Sequence, residues 1–352
     1  MTQNPTGDDV RLISIATAVP AEVLTQDHVL AECRALLTSR FAQFDRLAPA
    51  FHNAGIETRH SVVPLDWFRH PHGWTDRTRA YRDGAAALFR DAATRALDRA
   101  RLDAGQVDVI VTVSSTGVVT PTLEALVAAA MGFRSDVMRV PVFGLGCAGG
   151  VSGLAIARDL AAARPGAVVL MVAVETCTLL FRLDRLHKAD IIATALFGDG
   201  AAAVLLRAGD RADATHPRIG RGWQHMWPDT LGIMGWTVEE TGLGVIFDRA
   251  IPGFAETELR PAIDHIAPDR RVDRYVCHPG GAKVVTALET ALDLAPDALD
   301  CERDVLARYG NMSAPTVLFV LDAVLRAGRR GRLMALALGP GFTLSALPVE
   351  VA

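Results

Sequence analysis

Two stretches of the sequence, far apart in the chain, repeat the same order of a glycine-containing turn, a helix and a strand. The first begins at residue 144 with GLGCAGGVSGLAIARDLAAARPGAVVLMVAVE, and the second begins at residue 309 with YGNMSAPTVLFVLDAVLRAGRRGRLMALALGPG. A helix and a strand precede each of them, in FRDAATRALDRARLDAGQVDVIVTVSS and in FAETELRPAIDHIAPDRRVDRYVCHPG. Strands that alternate with helices are typical of α/β proteins with a largely buried sheet. We therefore predict an α/β fold built from two duplicated halves.

The length of the chain fits two such halves. It has 352 residues, of which 50% are hydrophobic, so it can bury a large core. The segment 207–222, RAGDRADATHPRIGRG, is polar and rich in turn-forming residues. We place the boundary within this segment, with an N-terminal half over 1–210 and a C-terminal half over 211–352.

Charge, cysteine usage and hydropathy exclude several classes of protein. The net charge is −4 without a long run of like charges, which argues against nucleic acid as a partner. The five cysteines are scattered without a CxxC pair, and the N-terminal MTQNPTGDDV lacks the apolar run of a signal peptide, so we expect reduced thiols and a cytoplasmic location. The longest apolar stretch, AVVLMVAVETCTLLF, is interrupted by Glu175 and is shorter than the roughly 20 residues that span a bilayer.

No group of residues has the spacing of a metal site. His187, His216, His225 and His265 are isolated, and Cys277 beside His278 has no further ligands at suitable spacing. We predict that the chain binds no metal.

The turn before the first repeated helix has more than one possible function. Gly144-x-Gly146-x-x-Gly149 has the spacing of a dinucleotide-binding turn, and Glu175 ends the next strand, where a ribose-binding acid would lie. The same turn also places Cys147 at the start of a helix, where the helix dipole favours a reactive thiolate. A third interpretation is that Cys147 is a small buried hydrophobic residue.

A nucleophile needs partners, and the second half offers two candidates. His278 ends a strand in VCHPGGAKV, and Asn311 precedes the helix that matches the cysteine helix in the repeat. If the halves are related by a pseudo-twofold axis, these residues converge on Cys147, where histidine can take the thiol proton and both can donate hydrogen bonds to an oxyanion. Taken singly, His278 is equally an ordinary residue of a helix start and Asn311 an ordinary N-cap.

Five motifs resemble one family. GLGCAGGVSGLAIARDL, ALFGDGAAAVLL, HPGGAKVVTALE, GNMSAPTVLFVLD and GPGFT occur in the order and at the spacing of the type III polyketide synthases, the chalcone synthase superfamily. The similarity runs from about residue 80 to the end of the chain. It implies a layered, thiolase-like fold with two duplicated α-β-α-β-α halves.

The resemblance also implies roles for the three candidate residues. Cys147 is expected to take a starter acyl group from coenzyme A. His278 and Asn311 are expected to hold the thioester carbonyl of malonyl-CoA and to stabilise the enolate that forms as carbon dioxide leaves. The substrates are then acyl-CoA and malonyl-CoA, and no bound cofactor is needed.

Further residues match positions that shape the family's cavity or hold its substrate. Phe197 matches the family's gatekeeping phenylalanine, and Lys283 matches a lysine that contacts the CoA phosphates. Arg46 matches a second CoA-contacting cation at the mouth of the tunnel. Pro49 and Asn53 stand where the family usually has cations, so the expected basic cluster is depleted. The remaining cavity candidates are Ser115, Thr116, Thr120, Cys177, Gly242 and Ser313.

Thr120 falls where the family reaches across a dimer interface, so the resemblance implies a homodimer. Small residues at 120 and 177 and the segment TGLGVIFDRAIPG resemble the bacterial branch that uses long fatty acyl starters to make alkylresorcinols or alkylpyrones. The alternatives are a malonyl-primed tetrahydroxynaphthalene or phloroglucinol synthase and a ketoacyl-acyl-carrier-protein synthase III. In the last family glutamine and alanine usually follow the histidine, whereas Pro279, Gly280 and Gly281 follow His278.

Overall fold

The computed structural model describes residues 9–209, 215–267 and 271–352. The predicted boundary between residues 210 and 211 lies outside these ranges. The strands are β1 (Val10–Ala18), β2 (Glu22–Thr25), β3 (Thr58–Ser61), β4 (Val109–Val113), β5 (Met138–Val142), β6 (Val168–Thr176), β7 (Asp199–Ala208), β8 (Arg218–Ile219), β9 (Trp223–Met226), β10 (Met234–Val238), β11 (Leu243–Phe247), β12 (Arg274–Cys277), β13 (Gly331–Gly339) and β14 (Thr343–Val351).

The α-helices are α1 (Gln26–Leu37), α2 (Phe44–Leu47), α3 (Pro49–His52), α4 (Trp74–Ala100), α5 (Leu123–Met131), α6 (Gly149–Ala163), α7 (Lys188–Leu196), α8 (Ile251–Ile266), α9 (Ala282–Ala291), α10 (Asp300–Tyr309) and α11 (Ala314–Arg326). Short 3₁₀ turns cover Leu65–Arg69, Ala104–Gln106, Gly146–Ala148 and Cys177–Leu180.

The strand pairing repeats between the two halves. In the first half β4 pairs in parallel with β6, which pairs antiparallel with β7. In the second half β12 pairs in parallel with β13, which pairs antiparallel with β14. Short β8 joins the halves by pairing with both β1 and β14, so a single sheet runs in the order β12-β13-β14-β8-β1-β7-β6-β4-β5. The predicted α/β fold with duplicated halves is confirmed, and the continuity of the sheet across the halves is an addition to it.

Alternate residues of each strand face different helix layers, because successive side chains of a strand point to opposite sides. In β6, Val169 and Met171 pack in the core that contains α6 and α11, whereas Leu170 and Val172 pack in the core that contains α4 and α5. In the second half β13 shares the α6–α11 core through one face and packs against α8 and α9 through the other. The two halves of the sheet therefore form separate layers. Outer helices cover each half on one side, and the two repeated helices, α6 and α11, lie between the halves.

The central helices approach closely at Gly150. A Cβ atom added there would lie 2.2 Å from the carbonyl oxygen of Ala314 and 2.6 Å from Cγ1 of Val317. Gly253, on the outer helix α8, has no atom within 4 Å of the equivalent position. We expect Gly150→Ala to lower the free energy of unfolding by about 2 kcal/mol, because a methyl group forced into a packed contact causes strain.

Thermal unfolding of both variants tests this packing. The control Gly253→Ala should unfold at the same temperature as the parent or slightly higher, since alanine is favoured over glycine within helices by up to about 1 kcal/mol. An unchanged unfolding temperature for Gly150→Ala would show that the two central helices can move apart without loss of stability, which would contradict this prediction.

Within the described ranges, none of the helices has the length and apolar character needed to cross a membrane.

Candidate active site

Cys147 lies in the 3₁₀ turn that leads into α6, at the centre of the molecule. Gly146 has a φ of +46°, and a Cβ atom on it would lie 2.7 Å from Pro340. A Cβ atom on Gly149 would lie 2.7 Å from Val113. Pro340 therefore occupies the space beside Gly146, the second glycine, where the backbone of a dinucleotide-binding turn would approach the pyrophosphate. The glycine spacing serves a tight bend between packed elements, and the dinucleotide interpretation is wrong.

Glu175 has a different role from the ribose-binding one considered above. Its side chain is fully buried, and its carboxylate accepts hydrogen bonds from the backbone N–H of Ser115 at 2.9 Å and of Thr116 at 2.9 Å, and from the Thr116 hydroxyl at 2.6 Å. The Ser115 hydroxyl in turn accepts from the N–H of Gly144 at 3.0 Å. Glu175 thus holds the loop after β4 against the cysteine turn, and both predicted cavity residues, Ser115 and Thr116, contribute to that bracing.

His278 and Asn311 lie on two other turns that meet the cysteine turn. His278 follows β12, is 5% exposed, and neither of its ring nitrogens has a hydrogen-bond partner among the described residues. Asn311 lies between α10 and α11, where its Oδ1 accepts from the N–H of Ser313 at 2.8 Å and its Nδ2 donates to the carbonyl of Gly280 at 3.1 Å. Asn311 is therefore not the N-cap of α11, which is Ser313.

The three candidate residues line one pocket. Cys147, His278 and Asn311 border a space of about 460 Å³ that is otherwise apolar, with Met234, Phe247, Leu336 and Leu338 among its walls. The structure brings together three residues separated by 131 and 33 positions in the chain (147 to 278, and 278 to 311). The predicted convergence of the three residues on one pocket is observed, and their catalytic roles stay predictions.

Burial sets the protonation of the two titratable residues in this pocket. Burial raises the pKa of the Cys147 thiol to about 11, although the neighbouring Ser313 side chain lowers it, and the charge of Glu175 raises it further. Burial lowers the pKa of His278 to about 4, so the imidazole is neutral at pH 7. The raised pKa is opposite in direction to the expected effect of the helix start, which favours the thiolate. Both ring nitrogens of His278 are free of hydrogen bonds to the described residues, so its predicted role as the base stays a prediction.

A backbone bridge ties Asn311 to the predicted gatekeeper Phe197. The N–H of Asn311 donates to the carbonyl of Leu196 at 2.8 Å, and the N–H of Gly198 donates to the carbonyl of Asn311 at 3.0 Å. Buried Arg59 also donates to the carbonyl of Phe197 at 3.1 Å. The position of Phe197 is thereby fixed relative to the candidate catalytic residues.

A wide mouth leads from the surface to the pocket of Cys147. It has an empty volume of about 1820 Å³ and shares Phe247, Ile251, Gly280 and Val284 with that pocket. The predicted CoA-contacting residues Arg46 and Lys283 line it, as do Pro49 and Asn53. Two further cations also line the mouth: Lys188, the first residue of α7, and Arg249, which follows the end of β11. Neither residue belongs to a motif, so nothing in the sequence indicated that they lie at this mouth.

A second cavity, called the apolar cavity because most of its lining is apolar, although the charged residues Glu32, Arg59 and Asp190 also line it, adjoins the Cys147 pocket. Four residues are shared between this cavity and a small space of about 380 Å³: the small space, lined by Cys147, Ser313 and Trp236, is also bordered by Cys177, Leu180, Phe197 and Val245. These last four residues also line the apolar cavity, which has an empty volume of about 640 Å³ and runs beneath α1 to Val29 and Leu36. The predicted cavity residues Phe197, Cys177 and Ser313 are thus at this junction.

Two other predicted cavity residues lie elsewhere. Gly242 is in the turn between β10 and β11, where a Cβ atom would meet the side chains of Arg77 and Arg182 at 3.2 and 3.3 Å. It lines neither pocket around Cys147, and the glycine of this hairpin that does is Gly235. Thr120 is exposed on the surface of the single chain, so its predicted role beside a partner subunit stays a prediction.

In the part of the chain that the structure describes, no three His, Cys, Asp or Glu side chains are grouped so that they could hold a metal ion.

Comparison with known proteins gives a consistent result along the whole chain. Residues 72–210 match the family model "Chalcone and stilbene synthases, N-terminal domain", and residues 219–351 match the corresponding C-terminal domain. A 1,3,6,8-tetrahydroxynaphthalene synthase of Streptomyces peucetius subsp. caesius is 39% identical over 82% of this chain and 79% of its own length. A putative chalcone synthase of Bacillus subtilis is 32% identical over 94% of this chain and 96% of its own.

A solved structure supports the same grouping. The 1,3,6,8-tetrahydroxynaphthalene synthase from Streptomyces coelicolor A3(2), described as a bacterial type III polyketide synthase, superposes with a TM-score of 0.90 at 31% identity. The superposition covers 97% of this chain and 100% of that one.

Proposed function

We propose that this chain, which belongs to the chalcone and stilbene synthase family and is a type III polyketide synthase, primes with a long-chain fatty acyl-CoA. As a CoA-dependent acyltransferase it then adds two-carbon units from malonyl-CoA, and cyclisation gives an alkylpyrone or an alkylresorcinol. The observation that carries the choice of starter is the apolar cavity that opens from the pocket of Cys147.

The cavity suits a hydrocarbon tail. Its walls include Leu24, Val29, Leu36, Phe68 and Val245, and it lies beyond the junction at which an acyl group on Cys147 would point. Burial of each methylene group of a tail contributes about 0.8 kcal/mol. A starter that fills the cavity therefore binds more tightly than acetyl or malonyl groups, which cannot reach it.

Priming uses the two titratable residues of the pocket. The Cys147 sulfur attacks the thioester carbonyl of acyl-CoA as His278 takes the thiol proton. The tetrahedral intermediate collapses with loss of CoA thiolate, which takes that proton back from His278. The acyl group is then a thioester of Cys147, and His278 is neutral again, as its lowered pKa favours.

Extension uses His278 and Asn311 as hydrogen-bond donors. They hold the thioester oxygen of malonyl-CoA while its carboxylate leaves as carbon dioxide, which places negative charge on that oxygen. Neutral donors in a water-poor pocket stabilise such an enolate, by on the order of 3 kcal/mol each. The enolate carbon attacks the acyl thioester, and the Cys147 sulfur leaves as the new carbon–carbon bond forms.

The mouth is suited to the nucleotide part of coenzyme A. Arg46, Lys188, Arg249 and Lys283 surround it and are positioned to attract the phosphates, while the narrow end at Phe247 and Gly280 admits the pantetheine arm. Coenzyme A enters and leaves as substrate, and the scheme needs no bound cofactor.

We also propose that the enzyme is a homodimer in the cytoplasm. Among the described strands, β5 forms one edge of the sheet, and Phe143, which directly follows it, is 58% exposed, while Val118 is 55% exposed. Apolar residues beside an open strand edge favour association of two copies. Thr120, exposed on the same side, would then lie against the partner subunit.

A malonyl-primed tetrahydroxynaphthalene synthase is the second candidate function. It is favoured by the 39% identity to the Streptomyces peucetius enzyme of that name. A ketoacyl-acyl-carrier-protein synthase III is disfavoured by the match of both halves to the chalcone and stilbene synthases.

Closing the junction of the apolar cavity distinguishes the two candidates. Cys177 is 2% exposed and borders both spaces, so Cys177→Phe should place a ring across the opening. We expect kcat/KM for a long-chain acyl-CoA to fall about tenfold or more, since several methylene groups lose their site, while a short acyl-CoA changes little. Product formation is measured by mass spectrometry with starters of graded length.

Cys177→Ser is the matched control, because it removes the thiol without filling the junction. It should keep the length preference of the parent enzyme. If Cys177→Phe, folded as judged by its unfolding temperature, lowers the activity with all starters equally, the cavity is not the site of the starter.

A further inference from the structure

The hairpin β10–β11 forms a wall of all three spaces around the active site, yet it is separate from the main sheet. Met234, Trp236, Val245 and Phe247 border the pockets of Cys147, Val245 also borders the apolar cavity, and Phe247 borders the mouth. Among the strands that the structure describes, β10 and β11 pair only with each other. A two-stranded hairpin is at best marginally stable alone, so other contacts must hold this wall in place.

One carboxylate, that of Glu239, meets two arginines from the opposite wall. Its Oε2 accepts from Nη1 of Arg182 at 2.8 Å, and its Oε1 accepts from Nε of Arg185 at 3.0 Å. The backbone carbonyl of Glu239 also accepts from Nε1 of Trp74 at 2.8 Å. Glu239 lies just after β10, and the two arginines lie between the Cys177–Leu180 turn and α7.

Both arginines are themselves fixed. Arg182 has a side chain that is only 6% exposed, and it donates to both oxygens of Asp184, at 3.1 and 2.6 Å. Arg185 donates to Asp190 of α7 and, through Nη2, to the carbonyl of Val245 at 3.3 Å. Partly buried, multiply hydrogen-bonded arginine–carboxylate contacts fix geometry far better than isolated surface pairs.

The two walls that Glu239 joins face each other at the junction of the apolar cavity. Leu180 and Ala193 pack there against Leu243 and Val245 of the hairpin, and Phe197 packs at the edge of this cluster. Any displacement of the hairpin therefore changes the opening through which a chain on Cys147 enters the cavity.

We propose that Glu239 is a positioning residue for chain length: by holding the hairpin against Arg182 and Arg185, it sets the opening between the Cys147 pocket and the apolar cavity. The growing chain passes or folds at this opening, so its width determines how many two-carbon units are added before cyclisation. This inference rests on the proposed use of the cavity by the acyl chain. It does not involve His278 or Asn311, which the hairpin does not hold.

The substitution Glu239→Gln tests the proposal, because glutamine keeps the size of the side chain and removes its charge. The assay uses the starter that the parent enzyme uses best. The ratio of products with fewer condensations to products with more condensations should change by about fivefold or more, because small displacements at a site have large effects on rate. The rate of malonyl-CoA decarboxylation should stay within about twofold of the parent value. The adjacent Glu240→Gln is the matched control, since Glu240 is exposed and forms no ion pair with any residue that the structure describes.

The outcomes separate this inference from the proposed function. A parent enzyme that does not accept long acyl-CoAs contradicts the proposed starter, whereas an unchanged product ratio in Glu239→Gln contradicts the role of Glu239. A parallel loss of decarboxylation and condensation also contradicts it, because that pattern indicates a general structural defect. If Glu239→Gln fails to fold, Arg185→Gln is used instead, which removes the contact with Glu239 together with those to Asp190 and the Val245 carbonyl. It should change the ratio in the same direction, and no change would overturn the proposal.

Discussion

Cys147→Ala should abolish polyketide formation and leave the decarboxylation of malonyl-CoA intact. The sulfur is the only atom of the scheme to which the starter is bound, so its loss should lower condensation by about 10⁴-fold or more, as for other enzymes that lose their nucleophile. Decarboxylation depends on the donors of His278 and Asn311, which the substitution does not touch. Release of carbon dioxide from labelled malonyl-CoA and product formation from the same mixture measure the two steps separately.

Cys177→Ala controls for the loss of a thiol from the same region. Cys177 lines the space beside Cys147 but has no chemical role in the proposed reaction, so the Cys177→Ala enzyme should still form products. Retained condensation by Cys147→Ala, or equal loss in both variants, would contradict the assignment of Cys147 as the acyl carrier.

The second large effect is expected at Asn311. Asn311→Asp removes the Nδ2 donor while keeping an oxygen that can accept from the N–H of Ser313, as Oδ1 does now at 2.8 Å. We expect the decarboxylation of malonyl-CoA to fall by about 10²- to 10³-fold, because an oxyanion then loses a donor and faces a carboxylate. Condensation should fall by at least as much, since it uses the same enolate.

Priming provides the matching control for Asn311→Asp. The acyl group should still be transferred from acyl-CoA to Cys147, because this step depends first on Cys147 and His278. The transfer is measured as an increase in the intact mass of the protein. If decarboxylation persists at more than about a tenth of the parent rate, the enolate is stabilised by other groups than Asn311.

Local patterns in the sequence predicted the repeated core well. The apolar runs VDVIVTVSS and AVVLMVAVE became the fully buried strands β4 and β6, and the helix predicted in FRDAATRALDRARLDAGQ became the last part of α4. Such elements are determined by neighbours along the chain. The convergence of Cys147, His278 and Asn311 was also predictable, because a duplicated fold places the equivalent turns of its two halves face to face.

The walls of the site were less predictable, since contacts distant in the sequence determine them. The contact of Arg182 with Glu239 joins residues 57 positions apart, and neither belongs to a motif. Gly242 was assigned to the cavity because it matches a cavity position of the family, whereas the glycine of the hairpin β10–β11 that lines the pocket is Gly235. The same limit applies to the pKa of Cys147, because the burial that raises it to about 11 is a property of the assembled pocket.

The starter preference of the parent enzyme is the most direct test of the account. Purified enzyme is incubated with malonyl-CoA alone and with acyl-CoAs of increasing chain length, and the products are identified by mass spectrometry. The account predicts pyrones or resorcinols that carry the intact acyl chain, formed most efficiently from long starters that fill the cavity beneath α1. Products built from malonyl-CoA alone, at the same rate whether or not a long acyl-CoA is present, would contradict it.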